Sequence, residues 1–239
     1  TSEEVLGKVG VDGFRVVTKL PPLPADLCEV SGWVMDQVKG SLARLRREKL
    51  YGLLLHRPED LLGLHARQLI QAITDLKNKG IVQKFGISIY RTDELEMVCN
   101  KIKIDLVQAP LNVVDRRLQS SGFLDRLKDN GIEIHTRSVF LQGLLLMGRS
   151  EIPKKFSRWS NLWDRWHVSL KDLGISPLAA SLAYPLTLEQ VDQVVVGVDN
   201  VAQLNGILQA AVNVPEGFDA SFMTSTDLDL INPSNWSQL

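Results

Sequence analysis

Short runs of consecutive apolar residues alternate along this chain with longer stretches whose apolar residues recur every three or four positions. The runs predict strands buried on both faces, and the stretches predict helices. The first run, FRVVTKL at 14–20, places the β-branched Val16, Val17 and Thr18 between Gly13 and the Pro21-Pro22 pair, so it predicts a short strand with an abrupt end. Further strands are predicted over 50–57, 82–90, 105–112, 132–140 and 193–198. A helix over 2–9 opens with acids and closes on Gly7-Lys8, and one over 26–47 ends in Arg44, Arg46 and Arg47, as the dipole at a helix C-terminus favours. Helices follow over 66–79, closed by Gly80, over 92–102 with Thr92 as N-cap, and over 117–129 before Asn130-Gly131. A tryptophan-rich helix over 153–173, one over 176–184 stopped by Pro185, and one over 201–211 complete the pattern. Residues 212–239 have no strong period and read as a tail.

Strands that alternate with helices imply a parallel sheet covered by helices. The doubly wound dinucleotide fold would carry G-x-G-x-x-G in a strand-to-helix turn, and none occurs. The (β/α)8 barrel remains. Six predicted strands are two short of eight, and an open barrel would leave unpaired edges, so the expectation is a single incomplete barrel domain over 1–239, with 212–239 as tail and two βα units upstream of Thr1.

The net charge of -1 and a pI near 6.4 give no electrostatic reason to expect nucleic acid or an anionic membrane as partner; a small molecule fits better. Cys28 and Cys99 fall in helical pattern without metal-ligand spacing and read as reduced thiols, and no run approaches a membrane span, so a cytoplasmic location is expected. Oligomeric state stays open.

Barrel chemistry gathers at the carboxyl ends of the strands. Those ends carry Lys19, His56, Ser88 with Tyr90, Gln108 with Asn112, Arg137 with Ser138, and Val198 with Asp199. Taken alone, Lys19 reads equally as a snorkelling surface residue or as a charge aimed into a site, and His56 as a core imidazole bonded to backbone. Their adjacency at two successive strand ends favours a site. Trp159, Trp163 and Trp166, with His167 beside them, read as a packed helical face. The Arg44–Arg47 run and the Arg116-Arg117 pair read as solvated helix ends, and Glu59-Asp60 as helix-start acids.

SEEVLGKV at 2–9, VTKL at 17–20, LLLHRPEDL at 53–61, KFGISIY at 84–90, DLVQAPLNVVDRRL at 105–118, SVFLQGLLL at 138–146 and VVVGVDNVAQLNGIL at 194–208 together resemble the aldo-keto reductases, in a divergent bacterial form. The resemblance implies a (β/α)8 barrel and NAD(P)H-dependent reduction of an aldehyde or ketone, or oxidation of a sugar or alcohol in reverse. Lys19 matches the lysine that lowers the pKa of a tyrosine proton donor, and His56 the histidine that orients the substrate oxygen. The family's tyrosine and aspartate would precede Thr1, which leaves open a non-catalytic nucleotide-binding or scaffold role. Ser88 and Gln108 match residues that hold the nicotinamide carboxamide, and Arg137 stands where many members stack an aromatic ring. Ser138, Phe140 and Gln142 lie in the loop that wraps the pyrophosphate. Gly197 and Asp199 replace the groups that usually hold the 2′-phosphate of NADP, and the acid favours NAD, while Gln203 keeps an adenine contact. The cofactor is thus NADP or NAD. Phe222 and Trp236 are candidates for the substrate pocket, which C-terminal segments shape in the family.

Overall fold

The computed structural model describes residues 2–99, 101–215 and 217–239. The chain divides into two compact units, one of residues 1–108 with 131–133 and one of 109–130 with 134–239.

In the first unit, α1 (Ser2–Val9) precedes β1 (Val17–Leu20), followed by α2 (Val30–Leu45), β2 (Leu50–Leu55), α3 (Ala66–Asn78), β3 (Val82–Ser88), α4 (Asp93–Val98) and the start of β4 (Leu106–Pro110). β1 pairs with β2, β2 with β3 and β3 with β4, all parallel, so chain order is sheet order. The strands are nearly continuous in Leu, Val, Ile and Phe because both faces are covered: Leu53, Leu54, Leu55, Phe85 and Ile87 are all buried. α3 buries Leu69, Ala72, Ile73 and Leu76, spaced i, i+3, i+4, i+7, as a helix lying on a sheet must. Gly86 is required by close approach: a Cβ there would sit 1.9 Å from the carbonyl oxygen of Leu106 on β4.

Several predicted boundaries shift for local reasons. β1 begins at Val17 because the Phe14 N–H bonds to the Val11 carbonyl in a turn, leaving Phe14 exposed. β3 ends at Ser88, and the Tyr90 N–H goes to the Glu94 carboxylate at 2.9 Å. Thr92 makes no side-chain cap, and α4 stops at Val98; the predicted helix crosses residue 100, which lies outside the described residues. α2 starts at Val30 with Glu29 as its N-cap, so Cys28 precedes the helix and is exposed. The arginines closing α2 are not simply solvated, since Arg44 pairs with Glu3 of α1 and Arg47 binds both the Val11 carbonyl and Asp12.

In the second unit, β4 leads to α5 (Arg117–Ser120), α6 (Phe123–Asp129) and β5 (Glu133–Arg137). α7 (Ser160–Leu173), α8 (Pro177–Leu186), β6 (Gln193–Val194), α9 (Val201–Val212) and α10 (Leu228–Ile231) follow. The helix predicted over 117–129 breaks at Gly122, whose φ is 75°. The one predicted over 153–173 starts as a 3-10 turn at Lys154–Trp159. α8 runs through Pro185, whose missing N–H falls in the last turn where little continues beyond it. β6 is much shorter than predicted. It pairs with His135 and Thr136 of β5, and β5 then ends at Arg137 as Ser138 turns to positive φ, so residues beyond 195 have no ladder to join.

The tryptophan stripe is core. Trp163 and Trp166 are fully buried with Phe156, Leu141, Leu144 and Leu145, and their indole N–H groups donate to the Phe156 and Leu145 carbonyls. The tail joins this cluster: Met223, Leu230 and Ile231 are buried, Phe222 packs against them, and Trp236 meets Phe156 edge-on at 4.8 Å. Phe222 and Trp236 are therefore packing residues of this unit. No helix among the described residues is long and apolar enough to cross a membrane.

Candidate active site

In the first unit the sheet register sorts side chains by face. The Thr18 hydroxyl donates to Glu3 of α1, so Thr18 faces the helices and its neighbours Val17 and Lys19 face the other way. Paired parallel residues share a face, so Val17, Gly52 and Lys84 form one inner layer and Lys19, Leu54, Gly86 and Leu106 the next. Two residues further along come His56, Ser88 and Gln108. Ser88 and Gln108 are register partners, 2% and 7% exposed. His56 lies just past β2, yet its N–H still donates to the Leu20 carbonyl at 3.2 Å, so the ladder reaches it. Lys19 and His56 are exposed. The register thus brings Lys19, His56, Ser88 and Gln108 to one face at the carboxyl ends of four consecutive strands.

The loops leaving these strands are tied together by a residue whose weight the sequence concealed. Pro21 and Pro22 carry no N–H; the first one beyond β1, on Leu23, donates to Asp60 Oδ2 at 3.0 Å. Asp60 stands with Glu59 in the first turn of a 3-10 helix, Pro58–Leu61, as the sequence predicts, but it is only 6% exposed and its other oxygen takes Arg57 at 3.2 Å, so it is a buried strap as well as a helix-start acid. Glu94 is similarly buried, and burial raises its carboxyl pKa against the opposing hydrogen bond from Tyr90. A cavity of about 210 Å3 borders Lys19, Leu20, Leu53, Glu3 and Arg44, smaller than the roughly 300 Å3 at which small-molecule sites begin. Burial would raise the Glu3 carboxyl there, but hydrogen bonds from Thr18 and Arg44 outweigh it and hold the group below its usual range.

In the second unit, Arg137, Ser138, Phe140 and Gln142 occupy one loop. Ser138, Leu141 and Gln142 have φ of 61°, 45° and 54°, followed by Gly143 at 85°, a left-handed run in which only the glycine is at ease. Arg137 Nη1 donates to the Ser138 hydroxyl at 3.2 Å. Phe140 packs against Val139, Leu182 and Ile207, which makes it an anchor of the loop. Among the described residues, the N–H groups of Val139, Phe140, Gln142 and Gly143 meet no hydrogen-bond acceptor. They fall in two pairs, one after the left-handed Ser138 and one within the left-handed Leu141–Gly143, and free N–H groups beside such positions form a concavity suited to an anion. The donor set fits a diphosphate.

Gly197, Asp199 and Gln203 stand at the start of α9. Asn200 caps the helix by accepting from the Gln203 N–H, and Gln203 returns the contact by accepting from the Asp199 N–H at 2.8 Å. Its side-chain oxygen is thus spent on the cap. Residues 193–213 contain no lysine or arginine.

Arg117 is held bidentately by the buried Asp115, and Arg116 lies 4.2 Å over the Tyr184 ring, so this pair is not a solvated helix end. Burial lowers the Arg116 pKa and leaves its Nη2 without a partner. Burial likewise pushes the Tyr184 phenol up to about 12, with Arg116 opposing.

A model of the aldo/keto reductase family matches residues 1–224. The chain belongs to that family. An uncharacterized oxidoreductase of Bacillus subtilis, YqkF, is 27% identical over 197 residues, covering 75% of this chain; the chain spans 60% of that relative's length. The aldo-keto reductase AKR11C1 from Bacillus halodurans, solved in apo and holo forms, superposes with a TM-score of 0.67. In the apo comparison the identity is 20%, over 92% of this chain and 74% of the other. The thermostable aldo-keto reductase Tm1743, solved with the inhibitor epalrestat, gives 0.69 at 20% identity, over 93% and 75%. At these identities the structures speak for the fold alone, an α/β fold of the (β/α)8 barrel type of aldo-keto reductases.

Proposed function

We propose that this aldo-keto reductase is an oxidoreductase that uses a nicotinamide dinucleotide to reduce a small aldehyde or ketone, or to oxidise the corresponding alcohol or sugar. The observation that carries the reading is the single face shared by Lys19, His56, Ser88 and Gln108 at four successive strand ends. When bound, the cofactor supplies or accepts the hydride. The Lys19 ammonium stabilises negative charge on a phenolic proton donor, whose ordinary pKa near 10 makes it a weak acid at neutral pH. The His56 ring donates a hydrogen bond where charge develops on the carbonyl oxygen. Ser88 and Gln108, buried and in register, hold the carboxamide of the nicotinamide, and the loop from Ser138 holds the diphosphate. With Asp199 and no cation over 193–213, a 2′-phosphate meets an acid and no counter-charge, so NAD is preferred over NADP.

Steady-state oxidation of NADH against a panel of aldehydes and ketones tests this. Lys19→Met and His56→Ala each lower the rate by orders of magnitude while cofactor binding is mostly retained; full activity of the Lys19 variant would sink the assignment.

A non-catalytic nucleotide-binding or scaffold role is the second reading, and within residues 1–239 two of the three tyrosines stand away from proton donation. Tyr51 stands at the start of β2 with its hydroxyl given to Glu133, and Tyr184 is shifted to about 12, opposite to the direction a proton donor needs. Tyr90, at the carboxyl end of β3, is 39% exposed. Saturable NADH binding without turnover on any carbonyl would support this reading over the first.

A further inference from the structure

The loop 138–143, left-handed at Ser138 and over Leu141–Gly143, needs a constraint from outside itself. Ser138, Leu141 and Gln142 each occupy backbone that is strained for a non-glycine residue, and such strain persists only where the surroundings over-determine it. Part of the constraint is apolar: Val139, Leu141, Leu144 and Leu145 are all buried. That burial holds the side chains but does not set the direction of the peptide that starts the run.

A polar contact does. The Ser138 carbonyl accepts from the Leu141 N–H at 2.9 Å and from Asn112 Nδ2 at 3.0 Å. Asn112 is 0% exposed, and its Oδ1 accepts from the Val114 and Asp115 N–H groups at 2.9 Å each. Those partners fix the orientation of the amide, because the oxygen faces two donors and the nitrogen faces a carbonyl. The Asn112 backbone is held as well, its N–H donating to the Asp115 carbonyl. A side chain pinned at one end in this way imposes direction at the other.

We propose that Asn112 is the positioning residue of this loop: by fixing the Ser138 carbonyl it sets the course of a loop that is left-handed at Ser138 and again over Leu141–Gly143, and whose free N–H groups on Val139, Phe140, Gln142 and Gly143 receive the diphosphate of a dinucleotide. It touches no ligand itself. The inference rests on the nucleotide reading above and deepens it.

The test is an NMR titration of the whole chain with inorganic pyrophosphate, together with residual dipolar couplings across 138–143. Asn112→Ser keeps an oxygen that the Val114 and Asp115 N–H groups can use but is too short to reach the Ser138 carbonyl. In wild type, pyrophosphate shifts the amide resonances of residues 139, 140, 142 and 143. In Asn112→Ser the affinity falls at least tenfold and the couplings of 138–143 change, while the methyl resonances of Leu145 and Met223 stay in place. If wild type responds and Asn112→Ser responds equally, or the couplings are unchanged, the proposal falls alone. If wild type gives no response, the nucleotide reading falls and takes the proposal with it. One measurement needs no variant to fold: the Asn112 side-chain amide exchanges slowly with solvent in wild type, and fast exchange would overturn the proposal.

Discussion

Lys19, Ser88 and Gln108 sit on extended backbone whose alternation brings them to one face without strain, whereas Ser138, Leu141 and Gln142 sit on left-handed backbone held by a buried amide and apolar anchors. The first region offers side chains to a ligand; the second offers peptide groups. The difference teaches where each is vulnerable. A strand-end side chain can be removed with the sheet intact, and the loss is chemical. The N–H groups of the loop cannot be mutated away, so the loop is lost through whatever holds it.

Breaking the hold should therefore produce the largest effect. Trp163 is fully buried in one cluster with Leu141, Leu144 and Leu145, and Trp163→Ala is expected to cost about 3–5 kcal/mol of stability in urea unfolding. A loss below about 1 kcal/mol would mean that the site relaxes far more than packing at this density allows. Lys19→Met comes next, a hundredfold or greater loss of turnover, about 3 kcal/mol of barrier, with the unfolding midpoint unchanged. An equal fall in stability would show that Lys19 is structural and remove the contrast between the regions.

Asp60→Ala sharpens the comparison from the other side, because it strips a strap from the first region. It leaves the Leu23 N–H without its acceptor and Arg57 without its partner, at an expected cost of about 1–3 kcal/mol, and Asn at the same position recovers part of it. Gln142→Gly relieves left-handed strain at an exposed position and should stabilise by about 0.5–1 kcal/mol, while the looser loop binds pyrophosphate more weakly. The smallest effect is that of pH. Burial, helped by Arg149 and opposed by Asp164, holds the His167 pKa below its ordinary value near 6.5. The unfolded chain then binds a proton at higher pH than the folded one, so this contribution is complete above about pH 6.5 and is lost as pH falls through the folded value. His167→Gln should flatten that part of the stability profile.

The same contrast explains what the sequence disclosed. Apolar runs with proline or glycine at their ends announced the strands, and with them Lys19, His56, Ser88 and Gln108, because a parallel strand's position fixes its carboxyl end. The stripe of Trp159, Trp163 and Trp166 was equally legible at helical spacing. Ranges of this kind, however, overran wherever a backbone hydrogen bond went elsewhere: Phe14 into a turn, and Ser138 into positive φ. Asp60 read as a helix-start acid and Asn112 as a strand-end group beside Gln108, and neither reading contained the loop contact that each makes. Their roles depend on partners 37 and 26 positions away, which no local pattern encodes. The tail's lack of period concealed a packed segment for a related reason, since short 3-10 turns bury single residues such as Met223 without a repeating face.

We propose that this chain binds a nicotinamide dinucleotide and prefers the one without the 2′-phosphate. Titration of the intact protein with NADH and with NADPH, followed by tryptophan fluorescence, tests it directly. Saturable quenching by both is expected, with NADH bound about tenfold more tightly or better. Tighter binding of NADPH would contradict the preference, and no saturable response to either would contradict the claim itself.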